Sequence, residues 1–297
     1  MGVFKKINDY LSLVKFSHTV FALPFALIGF MLGVLEINRE ISWDWFAENW
    51  DLFAKVLLCM VFARSAAMAF NRYLDRRFDA LNPRTATREI PAGIIKPEHA
   101  LWFTIVNCLL FIVTTLFINT MVFYLSVVAL FVILFYSYTK RITPLCHLVL
   151  GAGLALAPVG AYLAVTGYFK LLPILFSLTV LTWVSGFDII YALQDEEFDK
   201  EQKLNSIPAA LGKRNALMVS NLLHLISAVF VVLAGWTGDF GLIYWIGAII
   251  FIGLLIYQHI LVRPDDLSKV NMAFANTNGM ASIAFAVCAI TSFIIQL

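Results

Sequence analysis

Residues Trp50–Asp79 read WDLFAKVLLCMVFARSAAMAFNRYLDRRFD. From Trp50 to Leu74 the run exceeds the roughly 20 apolar residues that a helix needs to cross the hydrocarbon of a bilayer. Its last turns place Asn71, Asp75 and Asp79 at steps of four, which on a helix stacks three oxygen-bearing side chains along one face. Arg64 stands seven residues before Asn71, deeper in the apolar run and on nearly the same stripe. A membrane helix that ends in a polar stripe is thus the unit from which the rest of the chain is read.

The same hydropathy recurs throughout. Of 297 residues, 61% are apolar and 13% are charged, and mean hydropathy is +0.85. A soluble domain carries about 25% charged residues. The composition excludes a disordered chain, a water-soluble globule and a protein whose main function is nucleic-acid binding. Apolar runs bounded by polar clusters predict nine transmembrane helices, near 12–35, 50–74, 98–117, 121–138, 144–165, 170–194, 213–234, 240–262 and 272–296. The expected fold is an all-α polytopic membrane bundle with cytoplasmic active-site loops, in a single domain over 1–297.

The first run is not a cleavable signal, since Lys15 and His18 interrupt it and no small-residue cleavage site ends it. Cys59, Cys108, Cys146 and Cys288 lie singly in apolar runs and imply neither a disulfide framework nor a metal site. His18, His99, His147, His224 and His259 share no metal-ligand spacing and read as structural or interfacial. Seventeen Lys and Arg residues fall on the side of the amino terminus, against Arg39, Lys55 and Lys170 on the other. Cytoplasmic loops carry the excess of basic residues. This bias sets the amino terminus in the cytoplasm and, with an odd number of spans, the carboxyl terminus outside.

The sixth predicted helix repeats the device of the second: Asp188, Tyr191, Asp195 and Asp199 follow at spacings of three, four and four. The loops 75–97 and 195–212 after these helices lie on the cytoplasmic side, and each contains an Ile-Pro-Ala triplet, a weak internal repeat centred on helices 2 and 6. Like charges at such spacing repel, and a charge near the membrane centre costs at least about 2.5–3.5 kcal/mol. A hard divalent cation compensates both. Mg²⁺ typically takes one or two carboxylates plus substrate phosphates and keeps several waters. Two facing stripes therefore predict two Mg²⁺ ions with a diphosphate between them. Arg72, Arg76, Arg77, Arg84, Arg88, Lys140, Arg141 and Lys203 suit the remaining phosphate oxygens. Arg64 reads either as a tie to a buried acid or as a substrate contact.

The pair Asn71-x3-Asp75-x3-Asp79 and Asp188-x2-Tyr191-x3-Asp195-x3-Asp199 resembles the two signature motifs of the UbiA superfamily of intramembrane aromatic prenyltransferases. Residues 82–93, Asn-Pro-Arg-Thr-Ala-Thr-Arg-Glu-Ile-Pro-Ala-Gly, resemble the segment after the first motif, with Glu89 where proline is common. Tyr138-Thr139-Lys140-Arg141 matches the cluster after the fourth helix. The wording looks closest to 4-hydroxybenzoate polyprenyltransferases of ubiquinone synthesis and their relatives in menaquinone synthesis.

What the resemblance implies is Mg²⁺-dependent transfer of a polyprenyl group from its diphosphate to an aromatic acceptor, with 4-hydroxybenzoate first in line. Asn71, Asp75, Asp79, Asp195 and Asp199 would hold the metal. Lys15, Arg72, Arg84, Arg88, Lys140, Arg141 and Lys203 would bind diphosphate, Arg64 the acceptor. Asp188 would orient the acceptor or stabilise developing positive charge, and Tyr191 would position. A bacterial inner membrane is the expected location, the lipid bilayer the only macroscopic partner, and no nucleic acid or protein partner is expected. Naphthoate, haem, chlorophyllide and glycerol-ether acceptors use similar acids and stay open. A cation-coupled transporter is the reading from another class, because membrane carboxylates mark ion pathways. Against it, the acids cluster at one membrane face, whereas carrier sites sit near the midplane.

Overall fold

In lipid a backbone polar group has no water to bond, so long apolar runs become helices. A computed structural model describes residues 2–14, 21–41 and 43–295, and among them there is no strand. Twelve helices follow in order: α1 (Gly2–Leu13), α2 (Leu23–Asn38), α3 (Trp43–Glu48), α4 (Trp50–Leu81), α5 (Pro97–Leu116), α6 (Thr120–Thr139), α7 (Cys146–Thr166), α8 (Leu171–Ala192), α9 (Glu196–Glu201), α10 (Ile207–Thr237), α11 (Leu242–Leu261) and α12 (Asn278–Ile295). A 3₁₀ turn, Leu193–Asp195, joins α8 to α9, and a π-helical turn, Met272–Thr277, leads into α12.

Among the described residues, eight helical stretches are long and apolar enough to cross a bilayer. α2, with 16 residues, is apolar but shorter; at 1.5 Å per residue it covers about 24 Å. The nine expected spans are therefore eight long helices and one short one. The first expected run, 12–35, is not one helix: α1 ends at Leu13, and α2 starts at Leu23 with Pro24 in its first turn, a position where the missing N–H of proline costs nothing.

Other boundaries move outward. α4 runs to Leu81 rather than 74, and α8 continues through the 3₁₀ turn into α9 to Glu201 rather than ending at 194. The segments expected as loops, 75–97 and 195–212, shrink to 82–96 and 202–206, so the acids stand on helices. α10 begins at Ile207, and the start expected at 213 coincides with a break at Gly212, whose φ of 76° is open to glycine and strained for other residues.

α8 is the axis of the bundle. In its most apolar stretch 67% of residues are buried, against 17–50% in the other spans. α7 and α10 pack along it, α2 along α7, α4 against α5 and α11 against α12. Phe25, Phe176, Trp183, Phe251 and Phe285 fill the centre with tilted and edge-on ring pairs. Close approach of α7 to α8 depends on Gly151, where a Cβ would lie 2.4 Å from the Leu181 carbonyl oxygen; small residues at such crossings let membrane helices touch backbone to backbone. Exposed side chains such as Leu109, Phe131, Leu222 and Ile249 face outward, as a lipid-contacting surface requires.

Candidate active site

The last turns of α4 carry Asn71, Asp75 and Asp79 along one face, and each is engaged. Asn71 Nδ2 donates to Asp75 Oδ2 at 3.0 Å. Arg141, just past α6, donates through Nη2 to Asp75 Oδ1 at 2.8 Å. Arg88 donates through Nη1 to Asp79 Oδ1 at 2.6 Å. On the second stripe, Asp195 accepts from Asn82 Nδ2 and Arg84 Nε, both at 3.0 Å, and also pairs with Arg84 Nη2. Asp199 is fully buried, accepts from Ser206 Oγ at 2.8 Å and forms an ion pair with Lys140 Nζ at 2.7 Å.

These contacts lace the two stripes together. Asn82 and Arg84 belong to the segment after the first motif yet bind the second, while adjacent Lys140 and Arg141 reach one carboxylate of each. Burial pulls the Lys140 ammonium below the usual lysine range, but the Asp199 carboxylate outweighs it and the net shift is upward. Arg84 is likewise opposed by burial and held protonated by Asp195.

The donor set is all oxygen: four carboxylates and the Asn71 amide. Asp79 keeps a buried Oδ2 with no hydrogen-bond partner. This chemistry fits a hard divalent cation. Among the described residues no three His, Cys, Asp or Glu side chains converge tightly enough to hold a metal alone, so phosphate and water oxygens would have to complete the shell.

Beside the acids opens a cavity of about 530 Å³, within the range of ligand pockets. Arg64, Asn71, Arg72, Arg88, Tyr136, Asp188 and Tyr191 supply most of its polar lining, and the rest is apolar, including Val56, Ile118, Val122 and Leu163. From Val56 to Arg72 the wall follows α4 for about 24 Å. Asp188 is the one carboxylate among the lining residues; its Oδ2 lies 2.7 Å from His147 Nδ1. Tyr191 Oη accepts from Arg84 Nη1 at 2.9 Å, its ring lies under the guanidinium, and it packs at a tilt of 31° on Phe274 with centroids 4.2 Å apart.

The sequence-derived candidates thus divide. Asn71, Asp75, Asp79, Asp195, Asp199, Arg84, Arg88, Lys140 and Arg141 meet in one network. Arg64, Arg72, Asp188 and Tyr191 line the adjoining cavity. Lys203 is exposed, has a left-handed φ of 53° and forms no ion pair among the described residues. Lys15 lies outside the described residues. Tyr138, part of the quoted cluster, is half exposed beside the Arg141 guanidinium, and Tyr136 faces the cavity instead. Asn82, Ser206 and His147 were missed, and only Asn82, directly after the first motif, had a local signal. His224 and His259, read as structural or interfacial, meet with Nδ1 and Nε2 2.9 Å apart, and among the described residues no third metal-binding side chain joins them.

The profile of the UbiA prenyltransferase family matches residues 22–285. A 4-hydroxybenzoate octaprenyltransferase of Tolumonas auensis is 32% identical over 223 residues, 75% of this chain and 78% of that protein. Among solved structures, an apo UbiA homolog from Aeropyrum pernix K1 is 26% identical with a TM-score of 0.77, covering 94% of this chain and 98% of that one. A UbiA homolog from Archaeoglobus fulgidus bound to DMAPP and Mg²⁺ shares the fold, with a TM-score of 0.74 at 20% identity and coverage of 97% and 100%.

Proposed function

The chain belongs to the UbiA prenyltransferase family, and from that membership we propose that it transfers a polyprenyl group from polyprenyl diphosphate to 4-hydroxybenzoate, in a single domain. It is an integral membrane prenyltransferase; the donor's tail length and the acceptor are the proposal. The observation that carries it is the junction of two laced carboxylate stripes with a long, mainly apolar cavity. One end suits a metal-bound diphosphate, the other an isoprenoid tail.

Asn71, Asp75, Asp79, Asp195 and Asp199 would hold Mg²⁺, two ions on this reading, which supplies Lewis-acid stabilisation of the diphosphate leaving group. Lys140, Arg141, Arg84 and Arg88 exchange carboxylate partners for phosphate oxygens as donor binds. Arg72, buried at the cavity end, takes a further oxygen, and Lys203 extends the basic rim; a phosphate contact for Lys15 rests on the sequence resemblance alone. The allylic C–O bond breaks with its electron pair going to diphosphate. A bond forms between the allylic carbon and an electron-rich ring carbon, and the ring hydrogen at that carbon leaves as a proton. Arg64, about 10 Å deeper than Asn71 along α4, suits the acceptor's carboxylate, and Asp188 its phenol. The apolar walls keep water from the allylic cation, which water would convert to an alcohol. On this reading the site opens to the cytoplasm, with the amino terminus inside and the carboxyl terminus outside, as the bias of basic residues implies.

Purified protein incubated with polyprenyl diphosphate, Mg²⁺ and 4-hydroxybenzoate should yield prenylated acid by mass spectrometry. A panel of naphthoates and other phenolic acids in the same tube ranks acceptors. Unimpaired turnover in both Asp75→Ala and Asp195→Ala with chelator present would refute the assignment.

A further inference from the structure

The cavity acid Asp188 does not stand alone. α7 and α8 are drawn together at Gly151, and Ser185 Oγ donates to the His147 carbonyl at 3.1 Å. This crossing sets the His147 ring, 3% exposed, against the Asp188 carboxylate at 2.7 Å. On its other side, the Ile207 backbone N–H at the start of α10 donates to His147 Nε2 at 3.3 Å. A nitrogen that accepts an N–H carries the lone pair, so the proton of the neutral ring is on Nδ1 and is given to Asp188. Both ring nitrogens are thus used, and the imidazole is held by three helices.

We propose that His147 is a positioning residue for the acceptor-binding step: its Nδ1–H fixes one oxygen of Asp188, so that the other is presented to the phenol in the cavity. The side chain of Asp188 is 24% exposed, and among the described residues Asp188 is the only acid in the lining. An unheld carboxylate there would swing toward the basic cluster around Arg72 and Arg88. The ring also ties this acid to the head of α10. Ser206, next to Ile207, donates to Asp199, so one short segment at the head of α10 supports both the second stripe and the acceptor-facing acid. A lone buried histidine ordinarily needs no role beyond packing; here its partner is the one carboxylate among the described lining residues.

The assignment rests on the aromatic-acceptor reading above, and its test separates the two. In His147→Asn the amide Nδ2 keeps the donor at the Nδ1 position; in His147→Gln the amide reaches the Nε2 position and leaves Asp188 without its donor. In full-length protein, His147→Asn should keep kcat within about threefold, and His147→Gln should lose about 10–100-fold in kcat, as when a supporting partner is removed from a reacting group. KM for polyprenyl diphosphate should stay unchanged in both. His147→Gln added to Asp188→Asn should cost nothing further, because the two act as one unit. Equal losses in both variants with raised KM for donor would mean a merely structural histidine and overturn the proposal, as would full kcat in His147→Gln. If the wild type prenylates no phenolic acid, the acceptor reading fails instead. ¹⁵N spectra of histidine-labelled protein then still decide: His147, assigned by its loss in His147→Asn, should be protonated at Nδ1 and bare at Nε2. The reverse tautomer overturns the proposal without any turnover.

Discussion

Lys140 and Arg141 are neighbours in the chain and bond carboxylates of two different membrane helices, Lys140 to Asp199 at 2.7 Å and Arg141 to Asp75 at 2.8 Å. Successive Cα atoms are about 3.8 Å apart, so the end of α6 pins the two acidic stripes at a spacing that two short side-chain reaches define. A cation that neutralises an acid is also a cation that a phosphate can win. On the proposed function, the same dipeptide would hold the stripes without substrate and turn to the diphosphate with it.

Metal dependence follows from the donor set. Chelator should abolish prenyl transfer, and added Mg²⁺ should restore it. Asp75→Asn and Asp199→Asn each remove a charged oxygen donor, and each should lower kcat by about 10²–10³-fold, the cost of losing one electrostatic stabiliser of developing charge. Initial rates against Mg²⁺ concentration check this, and wild-type rates in either variant would contradict it.

The Lys140–Asp199 pair gives a pH signature. The folded-state pKa of Lys140 is raised by Asp199 against the opposing effect of burial, so its contribution to stability is full below the ordinary lysine value of about 10.4 and fades as pH climbs through the raised one. Lys140→Met leaves Asp199 buried without its ammonium and should melt several degrees lower. The gap in Tm between wild type and variant should stay constant from about pH 8 to pH 10 and narrow above about 10.4. Melting curves across that range decide; narrowing that begins near pH 8 would assign the tie to some other group.

The helices and both stripes were legible because hydropathy and a step of four are local patterns. Helix ends were not: once α4 and α8 leave the hydrocarbon, residues such as Asp79 and Asp199 look like loop to a hydropathy reading although the helix continues. Tyr136 and Tyr138 differ by two positions, about 200° around a helix, so only the rotation of α6 in the bundle decides which one meets the cavity. His147 was invisible for a different reason. Its partners, Asp188 and Ile207, are 41 and 60 residues away, and a single histidine in an apolar run carries no sign of either. Glu89, out of place against the family pattern, is explained only by the fold: it accepts from Ser12 Oγ at 2.5 Å and so fastens α1 over the segment that holds Arg84 and Arg88.

Tail length should be set at the far end of the cavity. Gly160 lies thirteen residues beyond His147, about 20 Å along α7 from the acceptor end. It lines the cavity, and a Cβ added there meets no heavy atom within 4 Å. A leucine at this position would fill tunnel rather than collide with backbone, and leucine favours a helix over glycine by up to about 1 kcal/mol, so folding should not suffer. Gly160→Leu should keep kcat/KM within about threefold for a two- or three-isoprene donor and lose about tenfold or more with an eight-isoprene donor, the scale on which an apolar pocket rejects what overfills it. Competition between short and long donors in one reaction, read by mass spectrometry, gives the ratio directly. An unchanged ratio would mean that the tail leaves the cavity for lipid before it reaches Gly160.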